Sequence, residues 1–148
     1  MAFAESTIRN VIEILHDGER GFSSLSKNLK DERLKTFFTD EASYRGKFAH
    51  QLETALSAIA GKHVEEGGTT SGTLHRAWGE LKGNLGGSDH TLLESAEQGE
   101  ESAKKTYADA LNDPDIPTPI RAILEEQQVH IHKSYERVMA MRHSFAAA

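Results

Sequence analysis

Four stretches of this chain repeat apolar residues at steps of three and four, a period that only an α-helix gathers onto one face. In the first, Ile8, Val11, Ile12, Leu15, Phe22 and Leu29 share a stripe with Glu19 and Ser26, and Ser6 stands where a cap belongs. The second runs through Leu34, Phe37, Phe38, Phe48, Leu52, Leu56 and Ile59, carries Glu41 and Arg45 on the same line, and stops at Gly61. The third joins Leu92, Leu93, Ala96, Ala103, Tyr107 and Leu111 with Glu100. The fourth opens with Pro119 in the first-turn position that proline tolerates and continues through Ile120, Ile123, Leu124, Ile131, Val138 and Met141, with Gln127 among them. The predicted helices cover about residues 6–29, 31–60, 89–111 and 118–142.

The links between them limit the topology. A tight turn at Lys30 and Asp31 makes the first two helices antiparallel, and the short link holding Pro114 and Pro117 does the same for the last two. Residues 61–88 form a long, glycine-rich crossover in which Leu74, Trp78, Leu81 and Leu85 predict one short helix. The expected architecture is therefore all-α: a four-helix bundle with one long crossover, occupying 1–148 as a single domain. With 17 Lys and Arg scattered among 23 Asp and Glu and a net charge of −6, no basic stripe is available to follow a phosphate backbone, so nucleic acid is not an expected partner. The chain has no cysteine, which leaves carboxylates and imidazoles as its metal donors. No signal-peptide core or membrane-spanning apolar run is present, and the cytoplasm is the expected compartment.

Charged residues in the middle of apolar stripes carry the chemical information. A buried carboxylate is costly unless paired, protonated or bound to a metal, and Glu19, Glu41 and Glu100 all stand on stripes. Arg45 follows Glu41 by one helical turn, and Gln127 takes the matching place on the fourth helix. Gly18, Gly21 and Gly99 are expected to leave room beside two of these carboxylates, since glycine in a helix interior otherwise only weakens it. The halves also repeat: adding 81 to the first stripe brings Gly18 and Glu19 onto Gly99 and Glu100, and adding 86 to the second brings Glu41 and Tyr44 onto Gln127 and His130.

In order, Glu, Glu-x-x-Tyr, Glu and Gln-x-x-His resemble the ferritin-like di-iron pattern of Glu, Glu-x-x-His, Glu, Glu-x-x-His. The runs Asp17-Gly18-Glu19-Arg20-Gly21-Phe22, Gly72-Thr73-Leu74-His75-Arg76-Ala77-Trp78 and Gln98-Gly99-Glu100-Glu101 are similar to a bacterial ferritin-like bundle family known only as a domain of unknown function. The resemblance implies a ferritin-like fold and, position by position, metal ligands at Glu19, Glu41, Glu100 and His130, with Glu97 matching an additional carboxylate of some members. Tyr44 and Gln127 depart from the pattern, and neither is a usual ligand for iron or manganese.

Two readings follow. In the leading one the chain is a non-catalytic bundle without cofactor, acting by association as a homo-oligomer, a dimer first. Its old metal centre is replaced by a buried network of Glu19, Glu41, Arg45, Glu100 and Gln127, with the guanidinium as counter-ion. In the alternative, Glu19, Glu41, Glu100 and His130 hold iron or manganese for an oxidoreductase or storage role.

The remaining polar residues have plainer expectations. His16, His50, His63, His75, His90 and His143 are expected on the surface or in loops, and His130 and His132 are too closely spaced for both to face the core. Tyr44 and Tyr107 read as core-edge tyrosines with bonded hydroxyls, and Lys104 and Lys105 as partners of acids one turn earlier. Trp78 is expected to cap the open side of the bundle. No nucleophile elbow or phosphate-binding loop occurs.

Overall fold

The computed structural model describes residues 4–61, 78 and 88–146. They form four helices: α1 (Glu5–Asn28), α2 (Glu32–Ala60), α3 (Asp89–Leu111) and α4 (Thr118–Ala146). The boundaries follow local chemistry. Asp31 caps α2 by accepting the amides of Arg33 and Leu34, Ser88 caps α3 by accepting that of Thr91, and Gly61 ends α2 in the left-handed conformation at φ 69°. At the start of α1, Ser6 lies inside the helix rather than capping it; Ala4 occupies the cap position at φ 62° and makes no side-chain cap bond. The fourth helix runs past residue 142, where Arg142 lies against α3 and meets Glu97 at 2.6 Å and Glu94 at 3.5 Å.

Each helix packs against two others, α1 on α2 and α3, and α4 on α3 and α2, with the α2–α4 seam the loosest. The bundle ends show how they run. Asp89, at the start of α3, accepts the backbone amides of Lys30 and Asp31 at the end of α1, and Thr7 at the start of α1 donates to Asp113 just past α3. Helices α1 and α3 are thus antiparallel, and α2 and α3 run the same way. Arg121 closes the α3–α4 turn by donating to the carbonyls of Leu111 and Asp113.

The core is a continuous apolar cluster that includes Ile8, Leu15, Phe22, Leu25, Phe38, Leu52, Leu56, Leu93, Ile120, Leu124 and Ile131. One member comes from the connection. Trp78 is helical and 1% exposed, and its indole lies edge-on to Phe22 at 4.8 Å between ring centroids. The rest of the predicted crossover helix, including Leu74, Leu81 and Leu85, lies outside the described residues. Two expectations change here. Trp78 does not merely cap an open side, and Gly21 and Gly99 make room for it rather than for carboxylates: a Cβ at either position would meet the indole at 2.5 Å. The facing glycines of α1 and α3 form a notch that the indole occupies.

Gly99→Ala should therefore lower stability by about 1–3 kcal/mol through overpacking. In a Trp78→Ala background the same change should raise stability by about 1 kcal/mol, because only the helix-propensity gain remains. Thermal and urea unfolding of the four proteins in this cycle measures the reversal of sign.

Candidate functional site

Mid-bundle, α2 delivers a charged side chain to the centre of the core. Arg45 is 1% exposed. Its Nε donates to Glu41 Oε2 at 2.8 Å, one turn back on the same helix, and its Nη2 donates to Glu100 Oε1 on α3 at 2.6 Å. The Ser134 hydroxyl on α4 donates to the other oxygen of Glu100 and lies 3.3 Å from Arg45 Nη2. The guanidinium carbon also sits 4.8 Å from the centroid of the Phe22 ring. Gly18 lets this side chain in: a Cβ there would lie 3.3 Å from Arg45 Cγ.

His130 completes the cluster from α4. Its Nε2 is 3.0 Å from both oxygens of Glu41, so with Glu41 ionised this nitrogen must carry a proton and donate. The ring is tilted against Tyr44 at 4.5 Å and meets the edge of Phe48 at 5.1 Å. Tyr44 itself is 45% exposed, at the mouth of the α2–α4 seam.

The charges here depend on one another. Burial pushes the Glu41 carboxyl up, but the His130 hydrogen bond and the charge of Arg45 outweigh it and hold this acid below the usual carboxylate range. Burial pulls Arg45 down, and Glu100 and Glu41 together push it back above its ordinary value, so it stays a cation. Glu100 is raised: its nearly complete burial outweighs the charge of Arg45 and the Ser134 bond. One guanidinium thus serves two carboxylates unequally, with Glu41 the better stabilised anion.

The predicted site residues separate into three groups. Glu41, Arg45 and Glu100 come together, and His130 joins them through Glu41. Glu19 does not. Gly18 takes the inward position on α1 between Leu15 and Phe22, which turns Glu19 to the flank, where its side chain is 47% exposed and approaches α2 at Gly46. There it lies 3.3 Å from His16, and His16 Nε2 lies 3.0 Å from Glu53. Gln127 is buried but belongs to a different set of bonds, accepting from the Tyr107 hydroxyl at 2.8 Å and donating to Gln51 at 2.9 Å and to the Phe48 carbonyl. Burial drives the Tyr107 phenol far above its ordinary value, leaving it a neutral donor.

Other expectations are corrected by packing. His16 is buried between two glutamates instead of lying on the surface, because Glu53 points inward from α2. Lys105 pairs with Asp109 one turn later, not earlier, and Lys104 lies over the Tyr135 ring at 3.9 Å. Sequence reasoning also missed Ser134, Glu53 and the fully buried Asp17, which lies 3.8 Å from Arg20. Ser134 was findable, since it falls on the fourth stripe one turn beyond His130. Among the described residues no three His, Asp or Glu side chains converge as a metal would require.

Glu41 and Glu100 should leave opposite signatures in pH-dependent stability. A carboxyl lowered on folding stabilises above its unfolded value of about 4.3 and loses that contribution as pH falls toward the folded value. The cost of Glu41→Gln should thus be full near neutrality and shrink in acid. A raised carboxyl favours folding below about pH 4.3 and loses that advantage as pH rises through its folded value, so Glu100→Gln should gain on the wild type with rising pH. Melting temperatures from acid to neutral pH measure both slopes. Arg45→Met, which strands two carboxylates, should cost about 3–5 kcal/mol near neutrality by urea unfolding.

No protein of curated function matches the chain. A family model described as a domain of unknown function, DUF2383, matches residues 4–113, which take in α1, α2, the connection and α3. The Arg45–Glu100 pair lies within this match, whereas His130 and Ser134 are supplied by α4 beyond it. With about three-quarters of its length matched, the chain belongs to the DUF2383 family, a domain of unknown function.

Proposed function

We propose that this chain is a non-catalytic bundle of the ferritin-like type, with an arginine-centred ion cluster in place of a di-iron centre. The observation that carries this reading is the Arg45 guanidinium, 2.8 and 2.6 Å from Glu41 and Glu100, two positions where the ferritin-like pattern has metal ligands. Helix order and the long link between two parallel helices support the ferritin-like comparison.

The donor set does not fit iron or manganese. A guanidinium is permanently charged and repels a cation from the space it shares with these oxygens. Glu19 is turned to the flank, Gln127 is bonded to Tyr107, and Tyr44 stands at the seam beside His130. In this reading the chain works by association in the cytoplasm, with a second copy as partner and no nucleic acid. Ile59 on α2 and Val129 on α4, 39% and 56% exposed, are apolar side chains available to such an interface. Among the described residues no helix is long and apolar enough to cross a membrane.

Protein purified from cells grown with added iron and manganese should carry far less than one equivalent of either metal by elemental analysis. Arg45→His, which removes the permanent charge and adds a donor, should retain more. Stoichiometric metal in the wild type would overturn the proposal. Sedimentation should show a dimer, and a monomer at high concentration would remove association with a second copy.

A further inference from the structure

The loosest seam of the bundle, between α2 and α4, opens into two adjoining hollows of about 390 and 200 Å³. Arg33, Phe37 and Arg137 line both and stand where the hollows meet. The larger hollow has polar walls that include Thr36, Tyr44 and His130, and the smaller has Leu34 and Met141 together with Asp31 and Ser144 at its rim. The groove therefore becomes less polar along its length, with two guanidiniums where the hollows meet.

We propose that this groove binds a free amphiphilic carboxylate, its head held by Arg137 and Arg33 on the Tyr44 and His130 side and its apolar tail lying toward Leu34, Phe37 and Met141. Charge and shape both favour that occupant. The Arg137 guanidinium carbon lies 5.3 Å from the centroid of the Phe37 ring, a contact that uses none of its N–H donors and leaves them for a bidentate carboxylate. Arg33 reaches Asp31 only through one 3.3 Å contact on a side chain 89% exposed, so it can turn to a second anion at little cost. Of the acids along the groove, Glu41 is already bonded by Arg45 and His130 and Asp31 is paired with Arg33 and with the backbone amides it caps, which leaves Asp40 as the opposing surface charge. The larger hollow lies within the size range of small-molecule sites, and the smaller extends it with apolar wall. A bare inorganic anion would leave the Leu34 and Met141 side unused, and a neutral chain would leave the arginines unused.

The test is an amide-resolved NMR titration of the full chain with octanoate, acetate and 1-octanol. Octanoate should shift resonances of α2 and α4 around Arg33, Phe37, Tyr44, His130, Arg137 and Met141 and saturate. Acetate and 1-octanol should each bind at least about tenfold more weakly, since each lacks one half of the recognition. Arg137→Ala should weaken octanoate about tenfold while leaving the melting temperature nearly unchanged, because the side chain is at the surface. Met141→Gln should weaken octanoate and leave acetate unaffected. Equal binding of octanoate and 1-octanol, shifts centred elsewhere, or an Arg137→Ala protein that binds like the wild type would each overturn the proposal. So would Arg137-dependent sedimentation with phosphatidylglycerol vesicles in a protein that does not bind free octanoate.

Discussion

A permanently charged guanidinium in the middle of a helical core is the constraint from which the surrounding structure follows. Taking Arg45 out of water is tolerable only if anions meet it with good geometry, and a single carboxylate would leave most of its five donors unused. Glu41 supplies one partner from the preceding turn, and Glu100 brings α3 across to supply another. Ser134 then bonds the far oxygen of Glu100, which draws α4 to the same level. Three helices are tied at one height by polar contacts whose loss would leave a charge stranded in the core. Apolar packing alone tolerates sliding between helices far better.

The same demand shapes the residues that make no ion pair. Phe22 lies against the guanidinium, Phe38 stacks on Phe22 at 5.4 Å, and Trp78 closes on the edge of Phe22 from the connection. Gly18 admits Arg45, while Gly21 and Gly99 admit Trp78. Three mid-helix glycines, each unfavourable for its own helix, are explained by two large side chains that must fit at the α1–α2 and α1–α3 contacts. At the bundle ends Asp89 and Asp113 each bridge two elements.

How much of this was legible in the sequence depended on whether a residue's neighbours lie on its own helix. The four helices and the topology were readable because period and link length are local properties. Asp31, Gly61 and Pro119 mark helix starts or stops by their own backbone chemistry, and the third helix is bounded by its stripe and by the proline-bearing link that follows Asn112. Arg45 with Glu41 was legible for the same reason, being one turn apart. Glu19 was not, because a stripe wide enough to include both Gly18 and Glu19 does not say which faces inward; the bulk of Arg45 on another helix decides that. Likewise Gly99 is explained by an indole that precedes it by 21 positions, and His16 by Glu53 on α2. Such pairings depend on how helices are rotated against each other, which period does not encode.

The internal repeat makes the consequence sharper. Gly18-Glu19 and Gly99-Glu100 are equivalent by sequence, yet Glu100 turns to Arg45 while Glu19 turns to the flank and His16. Glu41 and Gln127 are also equivalent, yet Glu41 joins the cluster while Gln127 bonds Tyr107 and Gln51. A pair of metal ions bridged across a bundle needs each half to deliver matching donors at one level. Here one half supplies the cation and its first anion from a single helix, and the other supplies the second anion, a hydroxyl and an imidazole. In an asymmetric core of that kind one guanidinium reaches both carboxylates and serves them unequally, with His130 adding a donor to Glu41 and Ser134 one to Glu100.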